Sequence, residues 1–217
     1  MFNSENENKL SPLYMILLCI CALLFNLILA YILGDILHIP LFMDTIGTVA
    51  VVFYAGLVPG LIVAGLYNVL RFGLMVLIGN PAYPWEMMYA LCGIAIAFST
   101  WILSWRNKNI GRGKSLTSLY LVLIAIVSSF ASSFTGGAIE TFQRQIFDNQ
   151  IYPNPVKDFV TAFLGDKFGL FVACVIARIP FTTIDRLICT FAGYLLYKGI
   201  KKLAVKFETG SNHNEFS

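Results

Sequence analysis

LYMILLCICALLFNLILAYILG, residues 13–34, runs for 22 residues without a charged side chain. At a rise of about 1.5 Å per residue, a helix of that length covers the roughly 30 Å of bilayer hydrocarbon. It is read as a first membrane-spanning helix, and the rest of the composition agrees. The 217 residues are 58% hydrophobic and 12% charged, against about 25% charged in soluble domains, and the mean hydropathy is +0.75. A β-barrel would alternate apolar and polar residues over about 10-residue strands, whereas these apolar runs are continuous. The expected fold is all-α: a polytopic membrane protein with six transmembrane helices in one bundle. Residues 13–203 form that domain, between cytoplasmic tails at 1–12 and 204–217. The first 12 residues carry Glu5, Glu7 and Lys9 in place of a basic leader, so the first span is expected to be retained rather than cleaved.

Working outward, Asp35, His38 and Pro40 mark a short polar connection. A second helix is expected from about Pro40 to Leu57, with Asp44 one turn inside its start. Gly56-Leu57-Val58-Pro59-Gly60 reads as a tight turn. A third helix follows over 60–79 and contains Asn68 and Arg71; after the turn at 80–84, a fourth runs from Trp85 to Trp105, with tryptophans at the interfaces. The fifth spans Leu116 to Ile139, and 140–158 reads as a polar loop. The stretch 159–197 is interrupted by Asp166-Lys167 and Asp185-Arg186, and it fits one span or two.

Charge bias decides between them, because short loops rich in Lys and Arg stay in the cytoplasm. With six spans and both termini inside, the inner segments hold nine basic residues: Lys9, Arg106, Lys108, Arg112, Lys114, Lys198, Lys201, Lys202 and Lys206. The outer loops hold only Arg144 and Lys157. A seventh span would move the C-terminal lysines outside. Residues 159–178 are therefore expected to be a non-crossing or re-entrant element leading into helix six. The net charge of +3 bears on orientation, and no nucleic acid is expected as a partner.

Catalytic motifs are not evident. Gly113-Lys114-Ser115 ends like a P-loop, but Lys108 stands where the first glycine belongs and no strand precedes it. His38 and His213 are far apart, and the five cysteines lie inside apolar runs without metal-ligand spacing. A binding protein rather than an enzyme, with neither metal nor cofactor, is the expectation. Charged residues at bilayer depth are more informative, since each costs about 2.5–3.5 kcal/mol or more unless paired or wetted. Asp44, Arg71 and Glu86 converge on one leaflet. One reading is a ligand pocket open to the exterior, lined by Asp44, Asn68, Arg71, Trp85, Glu86, Tyr89 and Glu140. The other is an Asp44–Arg71 ion pair that only fixes helix packing. Asp185 and Arg186 are expected to pair with other helices. Ala22, Asn26 and Ala30, four residues apart on helix one, and Gly56, Gly60 and Ala64 could each line a close-packing face, within this chain or against a partner.

Pro40-Leu41-Phe42-Met43-Asp44-Thr45-Ile46-Gly47-Thr48, Gly56-Leu57-Val58-Pro59-Gly60 and Gly65-Leu66-Tyr67-Asn68 resemble the first half of the substrate-specific S components of energy-coupling factor (ECF) transporters. Arg178-Ile179-Pro180-Phe181, Ile184-Asp185-Arg186-Leu187 and Ala192-Gly193-Tyr194 resemble their end, so the likeness covers about residues 13–203. It implies a six-helix bacterial plasma-membrane protein that binds a vitamin or similar micronutrient near the outer face. It also implies a transmembrane T component and two cytoplasmic ATPases as partners. In the family, an A-x-x-x-A face on helix one often meets the T component; Ala22, Asn26 and Ala30 are the nearest match, with Asn26 departing from it. Residues 35–43 would correspond to the gating loop. The alternative reading is a membrane sensor domain, and a purely structural subunit would bind no ligand.

Overall fold

The computed structural model describes residues 11–37, 39, 41–80, 82–106, 113–147, 156–165 and 168–213. His38, Pro40, Pro81, Lys108, Arg112, Asp166, Lys167, residues 148–155 of the expected polar loop, and the tails at 1–10 and 214–217 lie outside them. Among the described residues the chain forms seven α-helices and no strand. Helix α1 is Pro12–Ala30, started by Ser11, whose hydroxyl accepts the Tyr14 N–H, and by proline at its first position. It widens into a π-helical turn over Tyr31–Ile36. Next come α2 (Ile46–Ala55), α3 (Leu57–Leu77), a 3₁₀ segment Pro84–Tyr89 leading into α4 (Ala90–Arg106), α5 (Lys114–Ile146), α6 (Lys157–Gly165) and α7 (Leu170–His213).

Four of these helical stretches, Pro12–Ile36, Leu57–Leu77, Pro84–Trp105 and Lys114–Ile146, are long and apolar enough to cross a membrane. Their outward faces expose large apolar side chains such as Leu13, Ile16, Leu24 and Ile28 on α1, Ile62 and Leu66 on α3, and Leu119 and Phe130 on α5. Serines, threonines and ion pairs lie inside. That inversion suits a helical protein surrounded by lipid.

The central helix of the bundle is a short one. α2 has 10 residues, about 15 Å, and every residue from Ile46 to Phe53 is buried, as expected of a helix that is apolar all round. It packs on α1, α3, α4 and α7. Small residues permit the approach: a Cβ on Gly47 would meet the Ala22 carbonyl oxygen at 2.6 Å, and one on Gly193 would meet Val49 at 2.7 Å. α5 and α7 are joined by hydroxyls, with Ser129 hydrogen-bonded to Thr182 (3.0 Å) and Thr183 (2.9 Å), and Ser133 to Thr182 (2.6 Å). One end of the bundle carries Ser11, the Gly56 corner, Lys114 and Lys198, beside the Tyr14–Tyr54–Tyr197 ring contacts. The other end brings together Asp35 with Arg71 and Trp85 with Phe147.

Several expectations are corrected. The second helix begins at Ile46, not Pro40, so Asp44 precedes it: contacts to α7 hold residues 43–45 outside helical geometry. The turn at 56–60 contracts to Gly56 alone, whose φ of 88° favours glycine, and Pro59 sits in the first turn of α3, where its missing N–H costs nothing. The fifth helix runs on to Ile146, because Glu140 and Arg144 pair at i,i+4 and the Thr141 hydroxyl bonds the Gly137 carbonyl. The stretch 159–178 is divided: α6, 9 residues, is too short to cross, whereas residues from 170 onward already belong to α7, a single helix of 44 residues.

The face formed by Ala22, Asn26 and Ala30 is turned inward, at 7%, 0% and 2% exposure, and so offers no docking surface. Asn26 instead caps α2 from a neighbouring helix, accepting the Gly47 N–H at 2.7 Å and donating to the Thr48 hydroxyl at 3.1 Å. Replacing Asn26 with Leu is expected to cost about 1–3 kcal/mol, the penalty of a buried unsatisfied donor. Thermal unfolding of the purified protein in detergent measures it, and an unchanged midpoint would refute the capping role.

Candidate ligand-binding cavity

A cavity of about 290 Å³ opens at the end of the bundle opposite Lys114 and Lys198. Its walls follow from helical spacing. Ala64, Tyr67, Asn68, Arg71, Phe72 and Met75 form one stripe of α3, and Arg178, Thr182 and Arg186 recur every four residues on α7. The π-helical turn contributes Asp35, the segment before α2 contributes Asp44, and the 3₁₀ segment contributes Trp85, Glu86 and Tyr89.

Three clusters of charge surround this space. In the first, Arg186 (3% exposed) pairs with its neighbour Asp185, donates to the Thr45 hydroxyl and reaches Asp44 at 3.4 Å. The other Asp185 oxygen accepts the Met43 N–H at 2.7 Å. In the second, Glu140 is fully buried and accepts from Arg178 through two nitrogens, at 2.8 and 3.1 Å, and from Arg144 at 2.8 Å. Arg178 also donates to the Tyr89 hydroxyl at 3.0 Å, and Gln143 donates to the Trp85 carbonyl at 3.1 Å. These bonds fasten the 3₁₀ segment to α5 and α7. The third is looser: Arg71 donates to the Tyr67 hydroxyl at 3.1 Å and faces Asp35 at 3.5 Å, while Asp35 Oδ2 is buried without a hydrogen bond.

Six of the seven expected pocket residues, Asp44, Asn68, Arg71, Trp85, Glu86 and Tyr89, line the cavity together. Glu140 does not; it stands behind the wall and holds Arg178 in place. The alternative of an Asp44–Arg71 pair is replaced by two others, Asp44–Arg186 and Arg71–Asp35. Trp85 takes part in a ring stack with Tyr83 (4.8 Å) and Phe147 (4.2 Å). Sequence reading missed Asp35, Tyr67, Arg178 and Arg186 as lining residues. The repeat of Arg178, Thr182 and Arg186 at i, i+4 and i+8 was the available signal for the last two.

The chemistry of the cavity lies in what remains unpartnered. The side chains of Asn68 and Glu86 form no hydrogen bond or ion pair to another described residue, and Arg71 has one hydrogen bond to Tyr67 and a longer contact to Asp35, so these side chains are open to the cavity. Arg178 and Arg186, by contrast, are already engaged by carboxylates, although Arg186 Nε is buried without a hydrogen bond. No group of three or more His, Cys, Asp or Glu side chains among the described residues is arranged to hold a metal ion. The chain matches no family model, no curated protein and no solved structure.

Removing Glu140 leaves Arg178 and Arg144 as uncompensated buried cations, an effect of about 3–5 kcal/mol. Glu140→Ala is expected to unfold at much lower temperature than Glu86→Ala, whose carboxylate has no partner to orphan. Parallel melting curves test the distinction; equal stability of the two variants would put Glu140 on a par with the lining residues.

Proposed function

We propose that the chain is a membrane-embedded binding subunit for a small water-soluble nutrient, of the kind represented by the S components of ECF importers. The observation that carries this reading is the cavity itself, a space of about 290 Å³ with Asn68, Arg71 and Glu86 left available for a ligand. In the proposed topology α1, α3, α4, α5 and α7 cross the membrane, α2 together with the non-helical residues 41–45 before it completes a sixth passage, and both termini are cytoplasmic. The lysines at one end then face the cytoplasm, and the cavity faces outward. The loop that includes residues 41–45 would cover the bound nutrient.

Charge narrows the ligand. The lining carboxylates Asp35, Asp44 and Glu86 face Arg71, Arg178 and Arg186; behind them Glu140 is shared between Arg178 and Arg144 and Asp185 pairs with Arg186, so five carboxylates stand against four guanidinium groups. The surplus is negative at Glu86. A ligand presenting a cation or hydrogen-bond donors to Glu86 and Asn68 suits the cavity better than a phosphate does. The protein acts as a receptacle rather than an enzyme in this proposal, and concentrative uptake needs an external energy source. A T component and two ATPases would supply it.

Thermal-shift screening of the purified protein against B vitamins and related polar compounds is expected to give one strong hit, whose affinity falls about tenfold or more in Arg71→Ala and in Glu86→Gln, one lost charged hydrogen bond each. No hit from cationic, neutral or anionic compounds would remove the binding proposal. Copurification with a T component and ATPases supports the importer; a ligand-binding chain that never recovers them supports a sensor instead.

A further inference from the structure

A second cleft lies at the lysine end, between the start of α5 and the later turns of α7, with a volume of about 480 Å³. Two reciprocal helical stripes build it: Lys114, Ser118 and Leu121 on α5, and Phe191, Leu195 and Lys198 on α7. Polarity is graded along both helices. Lys114 opens α5 and Lys198 faces it from within α7 at the rim, Ser118 lies one turn deeper on α5, Leu121 and Phe191 line the inner part, and Leu195 stands at the open flank. The Lys198 ammonium is held 4.9 Å over the Tyr194 ring, which keeps the cation at the edge of the cleft. No acidic side chain among the described residues lines it, and the α5 N-terminus adds partial positive charge at the same edge. The flank is open to the side, where Leu119 and Leu195 are 65% and 67% exposed.

We propose that this cleft binds an acidic phospholipid, with its phosphate between Lys114 and Lys198 and an acyl chain against Leu121, Phe191 and Leu195. A soluble anion would use the lysines but would have no use for the apolar inner wall. A zwitterionic lipid would use the wall but gains less from two cations. An anionic leaflet attracts basic residues at the membrane surface, and basic pockets between helices hold acidic headgroups. The cleft lies about 40 Å along α5 from Gln143 at the nutrient cavity, so this proposal does not depend on what that cavity binds.

Native mass spectrometry of the full chain, delipidated and offered equimolar phosphatidylglycerol and phosphatidylcholine of the same acyl chains, tests it. The expected result is preferential retention of phosphatidylglycerol by the wild type, reduced about tenfold or more in the Lys114→Gln, Lys198→Gln double variant. Both lysines are exposed and outside the core, and the wild-type preference, expected to shrink in high salt, gives a readout free of mutation. Equal retention of the two lipids, or a double variant that keeps the preference, overturns the proposal. So does displacement of the lipid by inorganic phosphate at comparable concentration, which would assign the cleft to a soluble anion.

Discussion

Arg186 is a guanidinium buried to 3% exposure in the middle of a helix bundle, and a charge there must be compensated. Its adjacent residue Asp185 does part of this. The rest comes from Asp44 and Thr45, which lie more than 140 positions away along the chain. Anchoring this segment to α7 leaves Met43, whose N–H donates to Asp185, in a left-handed conformation with φ of 44°, uncommon for a residue with a side chain. It delays the start of α2 and places Asp44 at the cavity wall. The Thr45 hydroxyl, engaged by Arg186, makes no cap for α2, and Asn26 of α1 binds the Gly47 amide in its place. One buried cation thus sets the boundary of the central helix, the position of a lining carboxylate and the role of an asparagine on a third helix.

The cavity is the complement of that packing. α2 is too short to fill the height of the bundle, and the space beyond its N-terminus is enclosed by α3, α7, the π-helical turn and the 3₁₀ segment. Two departures from regular helix lie at this mouth, where they aim Asp35 and Glu86 inward. Such irregularities recur at functional sites. The wall is stiff where Glu140 ties Arg178, Arg144 and, through Arg178, Tyr89 together. It is looser around Arg71 and Asp35, on the side that meets the segment before α2. Under the proposed binding role, a rigid floor with a less constrained rim would admit a ligand without dismantling the bundle.

Individual residues show how much could be read in advance. Asp44, Asn68, Arg71 and Glu86 were legible as lining residues because charges and amides inside long apolar runs need either partners or water, and Trp85 and Tyr89 flank Glu86 on the same segment. Glu140 was misplaced because a polar stretch looks like a loop until its i,i+4 partner Arg144 is weighed. Ala22, Asn26 and Ala30 share a helical face by spacing alone, but spacing carries no information on what covers that face. Here α2 and α3 do. The pairing of Arg71 with Asp35, rather than Asp44, depended on the π-helical turn, which the apolar run at 13–34 does not announce.

Length and polarity of the runs determine the membrane setting, the all-helical class and which residues are costly to bury, because each of these follows from local composition and the fixed rise of a helix. Which charges meet, where α2 begins and whether a small-residue face points inward were decided only in the tertiary structure. Those outcomes depend on which distant groups compensate one another in a medium that solvates none of them.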